Sequence, residues 1–273
     1  MRAQGWRKIA SATWGRPNDP QIYGDLEVDA TRLLSFIDEA RRVTGVRITV
    51  THAVGKALAR ALSEQPHLEG PRPRGGPQTV DIFFVVAIEG GKELSGVKVK
   101  GADRMSIVEI AAELAQRAGR IRAGEDTEIG MSKRLLAVTP VWLLRPVLTF
   151  ASWLTGEKGF DLRRLGMPRR AFGSAMVSSV AMFGVQKAYG PLASLYRIPI
   201  LALVSEVTMK PIVVDDRIVA RPILTVTATM DHRYLDGSHA ASLGRSVGAY
   251  LTDPAAFETL PEGDVAEARE RVT

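Results

Sequence analysis

Between Val80 and Ile88 the chain reads Val-Asp-Ile-Phe-Phe-Val-Val-Ala-Ile, with Asp81 its only polar residue and Gly90-Gly91 closing the run. A β-branched and aromatic run of that length, bounded by turn residues, is a strand buried in a sheet. The chain must therefore supply elements that cover it, and its periodicity shows where they lie. Residues 25–45 read as a strand end, with Leu26 and Val28 between charged neighbours, followed by Asp29-Ala30-Thr31 and a helix whose apolar face is Leu33, Leu34, Ile37 and Ala40. A second helix over about 50–64 carries Val54, Ala57, Leu58, Ala61 and Leu62 on one side, and Gln65-Pro66 stops it.

A turn-rich loop, Gly70–Pro77, leads into the buried strand, and a short strand from Leu94 to Val99 follows it. Ser106 with Glu109 forms a capping box for a helix through Ile107, Ile110, Ala111, Leu114 and Ala118. The last third is strand-rich: Ala175–Val180, Ile198–Val207 and Leu224–Ala228 are apolar runs, and Lys210–Arg221 alternates about an Asp215-Asp216 turn like a hairpin. Gly237 opens a final helix through Ala241, Leu243, Val247 and Leu251, which Asp253-Pro254 ends. Strands mixed with helices in this way predict an α+β layered domain.

Composition closes off several chemistries. The chain has 273 residues and no cysteine, so disulfides, thiolate nucleophiles and cysteine-ligated metals are excluded. His52, His67 and His239 have no ligand spacing, and no metal is expected. The net charge of +6 attracts anions such as nucleic acid, membrane surfaces or phosphorylated cofactors. The cations are spread along the chain without aromatic alternation or an RNA-binding signature, which sets nucleic acid aside. Met1–Arg16 holds four basic residues but no apolar core, so no secretory signal is read and the cytoplasm is expected.

The segment Thr229-Met-Asp-His-Arg-Tyr-Leu-Asp-Gly237 leaves a strand and enters a helix, a common place for reactive groups. Histidine is the side-chain type whose unperturbed pKa lies near physiological pH, so a histidine at position 232 can take and return a proton. Asp231, Arg233 and Asp236 surround it with charges able to hold the loop. By residue type alone, a surface polar cluster and a catalytic base are both open readings of this group.

Asp231-His232-Arg233-x-x-Asp236-Gly237, between a strand and an Ala-rich helix ending in Asp-Pro, resembles the signature of dihydrolipoamide acyltransferases. These are the acyltransferase components of 2-oxoacid dehydrogenase complexes, whose fold chloramphenicol acetyltransferase shares. Gly173-Ser-Ala-Met-Val-Ser178-Ser179-Val-Ala-Met-Phe183-Gly184 is similar to the family's serine-bearing strand, and its distance from the histidine also matches. Further likeness lies at Gly101–Ile107, Leu26–Asp29 and Lys56–Pro66, and in all it covers about residues 5–125 and 172–257. The resemblance implies a chloramphenicol acetyltransferase-like mixed sheet flanked by helices, and a homotrimer with its active site between neighbouring subunits. It implies that His232 deprotonates the thiol of coenzyme A or dihydrolipoamide, that Ser178 donates to the oxyanion, and that Asp236 pairs with an arginine to fix the loop.

The chain departs from the family pattern in places. It begins almost at the catalytic domain (1–261), so a lipoyl group is expected to arrive on a separate protein; 262–273 read as a charged, solvated tail. Glu69 after Pro66-His67-Leu68, and Phe83 within Phe83–Val86, stand where coenzyme A would run and could narrow its channel, and residues 93–99 differ too. An insertion of about 128–172 contains the apolar run Leu135–Leu154, with Arg145 in its middle and Pro140 and Pro146 interrupting it. It reads as an inserted apolar helical segment serving as a buried hairpin, subunit contact or lid. A second reading sets Trp142 and Trp153 at a membrane surface, the basic flanks Lys133-Arg134, Arg163-Arg164 and Arg169-Arg170 supporting it. Beside the thiol acyltransferase stand two alternatives: acyl transfer to a small hydroxyl or amine, and a catalytically silent trimeric scaffold that binds a partner or membrane through residues 135–154.

Overall fold

The apolar run at Leu224–Ala228 belongs to a longer element: in the computed structural model Arg217–Asp231 is one 15-residue strand. The structure describes residues 20–68, 79–88, 93–122, 140–161, 169–192, 195 and 197–260. The expectations for Met1–Arg16, Glu69, the Gly70–Pro77 loop, Gly90-Gly91, residues 128–139, Arg163-Arg164 and the 262–273 tail lie outside these, as does the side chain of His67.

Among the described residues seven strands form one mixed sheet: β1 (Gln21–Asp29), β2 (Ile82–Ile88), β3 (Glu93–Val99), β4 (Ala175–Ser179), β5 (Ile200–Val204), β6 (Thr208–Val214) and β7 (Arg217–Asp231). Their order is β1-β7-β5-β4-β2-β3, with β6 paired to the first half of β7. The β2–β4 and β4–β5 pairs are parallel, while β1, β5 and β6 all run antiparallel to β7. The β6–β7 hairpin turns at Asp215 and Asp216, both at positive φ (47° and 59°), the backbone that a two-residue primed turn needs.

The α-helices among the described residues are α1 (Thr31–Thr44), α2 (Val50–Ser63), α3 (Ile107–Arg122), α4 (Val141–Ser152) and α5 (Gly237–Thr252). Helix α2 fills the centre of the main core, with every residue from Ala53 to Ala59 buried. Phe84 reaches this face from β2, and its ring occupies the space that a Cβ at Gly55 would take. The expected capping box forms, since Ser106 N donates to Glu109 Oε2 at 2.7 Å and Glu109 N to Ser106 Oγ at 3.2 Å. Asp29 closes the entry to α1 by accepting from the amide of Thr31 at 2.9 Å.

Side chains alternate across a strand, so Phe83 points away from Phe84 into a smaller cluster with Met176, Leu192, Ile198 and Leu201 on the opposite face. There Phe83 stands edge-on to Phe172, centroids 5.1 Å apart, and its ring lies over Gly96. The apolar run around Pro146 is not a buried hairpin. Residues 141–152 are helical through Pro146, and a one-turn π-helix (Trp153–Glu157) follows. Only one stripe of α4 is covered: Leu144 and Ala151 are buried, while Trp142 and Phe150 are exposed.

Candidate active site

Strand β7 delivers the reactive segment to one end of the sheet. Its last residue, Asp231, is 5% exposed, and its amide donates to Pro199 O at 2.9 Å. A buried carboxylate needs partners, and Arg233 supplies them: Nε donates to Oδ1 at 2.9 Å, Nη2 to Oδ2 at 2.5 Å, and the Arg233 amide to Oδ1 at 3.0 Å. The amides of Tyr234 and Leu235 turn back to Asp231 O at 3.0 and 3.1 Å, and the buried Leu235 side chain pins the turn.

His232 sits at the crest of this turn, exposed, its amide donating to Pro20 O at 2.8 Å. Its Nδ1 lies 2.7 Å from Leu235 O. A carbonyl oxygen only accepts, so the neutral ring carries its proton on Nδ1 and keeps the lone pair on Nε2. That is the tautomer a general base requires.

Asp236 fixes the loop by a different contact from the arginine pair that the resemblance implies. It is the N-cap of α5, accepting from His239 N at 3.0 Å and Ser238 Oγ at 2.8 Å. The His239 amide, with the Ser238 hydroxyl, holds its carboxyl below the usual carboxylate range. The arginine of the loop is spent on Asp231 instead, and among the described residues none is paired with Asp236. His239 completes this cap with Nδ1 accepting from Asp236 N at 3.3 Å, and His52 accepts from Thr49 N in the same way at 3.1 Å. The signal for both was a capping residue three places before a histidine.

Ser178 lies near the end of β4 on the face of Met176 and Phe83, part-exposed, and its hydroxyl bonds no other described residue. Its neighbour Ser179 is the one that meets a backbone carbonyl, Val204 O at 3.4 Å.

The structure does not bring Ser178 and His232 together within one chain. Ser178 pairs with Leu203, and Leu203 with Thr227, so all three share a rung of the sheet. His232 lies five residues beyond Thr227. At about 3.3 Å per residue and about 4.8 Å per strand spacing, the two Cα atoms are roughly 19 Å apart. No pair of side chains of these types spans that gap to share a reacting atom.

Among the described residues no cluster of His, Asp and Glu is placed to hold a metal ion. Phe83, where coenzyme A is expected to run, has its ring committed to the cluster over Gly96. Glu69 lies outside the described residues.

Comparison with known proteins places these features. The model of the 2-oxoacid dehydrogenases acyltransferase catalytic domain matches residues 8–141 and 169–258. The chain is 27% identical over 237 residues to the dihydrolipoyllysine-residue acetyltransferase component of the pyruvate dehydrogenase complex of Zymomonas mobilis, a match covering 84% of this chain and 44% of that protein. It spans between 41% and 55% of the length of three curated relatives it matches. Among solved structures, the Azotobacter vinelandii dihydrolipoamide acetyltransferase superposes with a TM-score of 0.68 at 21% identity, covering 94% of this chain and 92% of that one. A chloramphenicol acetyltransferase superposes at 0.50 and 13%, covering 90% and 96%. The sheet with its flanking helices therefore has the chloramphenicol acetyltransferase-like fold, and the chain belongs to the family of 2-oxoacid dehydrogenase acyltransferase catalytic domains.

Proposed function

We propose that this protein transfers an acyl group between coenzyme A and a dihydrolipoamide-type thiol, with its active site formed between two copies of a homotrimer. The observation that carries the reading is the His232 ring, exposed at the end of a braced turn with Nδ1 tied to Leu235 O. Nε2 takes the proton from the incoming thiol, and the thiolate attacks the thioester carbonyl carbon. The oxyanion accepts a hydrogen bond from Ser178 of the neighbouring copy. As the intermediate collapses, the donor's sulfur leaves as thiolate and recovers the proton from Nε2.

Two further facts support it. The separation of about 19 Å within one chain fits a site whose serine comes from a second copy. In the Azotobacter protein the catalytic roles of a serine, a histidine and an asparagine have been investigated, the asparagine following the histidine by four positions, as Asp236 follows His232.

The test measures acyl transfer from several acyl-coenzyme A donors to free dihydrolipoamide, comparing the protein with His232→Ala. Loss of a general base is expected to lower the rate on the order of 100-fold or more. Equal rates in the two proteins, both folded, would remove His232 from the chemistry. Transfer to small hydroxyl or amine acceptors, but not to dihydrolipoamide, would replace the acceptor assigned here.

A further inference from the structure

Helix α4 has a covered stripe and an uncovered one, and both are apolar. At 100° per residue Leu144, Leu148, Ala151 and Thr155 fall on one side. Leu144, Ala151 and Thr155 are buried there, and Ser152 Oγ alongside donates to Leu195 O. Trp142, Pro146, Phe150 and Trp153 fall on the opposite side, with Trp142 76% and Phe150 63% exposed. The Phe150 and Trp153 rings touch, centroids 5.8 Å apart, and Lys158 Nζ stands 5.2 Å from the Trp153 centroid. Arg145 flanks this stripe, and Phe160 beyond the turn is also exposed. A helix apolar on both sides needs a cover for its outer stripe, and the described residues do not supply one.

Charge identifies what. Residues 133–172 contain eight Lys and Arg against Glu157 and Asp161, which leaves 28 of the 36 basic and 28 of the 30 acidic residues elsewhere. The whole net charge of +6 therefore resides in this segment, and α4 itself contains no acidic residue. The family match leaves out residues 142–168, so nearly all of α4 lies outside the matched ranges. A helix of 12 residues is about 18 Å long, short of the ~30 Å hydrocarbon layer, and no helix among the described residues is long and apolar enough to cross a membrane. Tryptophan and phenylalanine on one stripe with cations beside it suit a helix lying in the headgroup region of an anionic bilayer.

We propose that this protein docks on anionic phospholipid membranes through the Trp142–Phe150–Trp153 stripe of α4, steered by Arg145 and Lys158. Arg197, whose Nε donates to Ser152 Oγ at 3.1 Å, lies two residues before Pro199, the acceptor of the Asp231 amide. The docking helix is thus seated at the end of the sheet that carries His232.

The experiment is co-sedimentation of the full chain with phosphatidylcholine vesicles, with or without about one third phosphatidylglycerol. The protein is expected to follow the anionic vesicles and to be released by salt. Trp142→Ser and Phe150→Ser should each weaken partitioning about tenfold or more, and Arg145→Gln about fivefold. All three positions are exposed, so unchanged melting temperatures will show that the variants are folded. Absence of the wild-type chain from the anionic pellet, or equal partitioning of the aromatic variants, overturns the proposal. So does a fall in oligomer mass of Trp142→Ser or Phe150→Ser without lipid, which would assign the stripe to a second copy.

Discussion

Two inactive variants should complement one another. His232→Ala removes the base and leaves Ser178 intact; Ser178→Ala does the reverse. Each alone loses on the order of 100-fold or more, the usual cost of a general base or an oxyanion donor. Because the two residues lie roughly 19 Å apart in one chain, and imidazole and hydroxyl together reach about half that from their Cα atoms, the proposed site must draw on two chains. In a ring, every interface pairs the histidine of one subunit with the serine of the next. Random mixing of the variants at equal amounts places an intact histidine against an intact serine at about one interface in four. Co-expressed or co-refolded mixtures should therefore recover about a quarter of wild-type activity in the acyl-coenzyme A to dihydrolipoamide assay, provided native mass spectrometry shows mixed trimers. Recovery should follow the product of the two mole fractions and vanish at either extreme. Mixed trimers with no more activity than either parent would refute the shared site.

Asp236→Ala should lower kcat on the order of tenfold through misplacement of the His232 turn, with Asp236→Ser, another capping residue, restoring most of it. His52 is held at a pKa of about 4 by burial, with Arg47 and Arg41 adding repulsion. The unfolded chain therefore binds this proton first: the stability it contributes is full above pH 6.5 and is lost as pH falls toward 4. The shift corresponds to about 3 kcal/mol, which urea titrations of the protein and His52→Gln at pH 7 and pH 4.5 should reveal as a pH slope that the variant flattens. Gly96→Ala places a Cβ 2.1 Å from Phe83 Cζ, so the ring must move. It should cost about 1–3 kcal/mol by urea unfolding, and Phe83→Leu in the same chain should restore part of it.

Much of this fold was legible because single residues punctuate it. Ser106 with Glu109, Gln65-Pro66, Asp215-Asp216 and Asp253-Pro254 each act within a few residues, and the elements end where they stand. The 15-residue length of β7 was hidden by Pro222, which ordinarily argues against a strand interior. Here the Pro222 carbonyl accepts from Ala30 N, just past the end of β1, so its missing N–H faces a position where no partner strand remains. Helix α4 was obscure for the opposite reason. Its outer stripe is as apolar as its inner one, so no periodic contrast marks the buried side, and Pro146 looked like an interruption.

The site shows the same division between local and distant information. The strand–turn–helix setting of His232 followed from neighbouring residues, and β7 does end at Asp231 with α5 starting at Gly237. The partners inside the turn were harder, because three charges within six residues allow several pairings. Burial decided among them: Asp231 is enclosed and takes the guanidinium, whereas the exposed Asp236 is better used on the free amides of the helix start. The relation of His232 to Ser178 was beyond local reading altogether. Their 54-residue separation in sequence fits a pair in contact as well as a pair at opposite ends of the sheet. Only the strand order, with β5 between β4 and β7 and antiparallel to β7, sends the two residues in opposite directions. The strand order that closes the core therefore separates His232 from Ser178, and the proposed mechanism needs a second chain before the pair can act on one carbonyl.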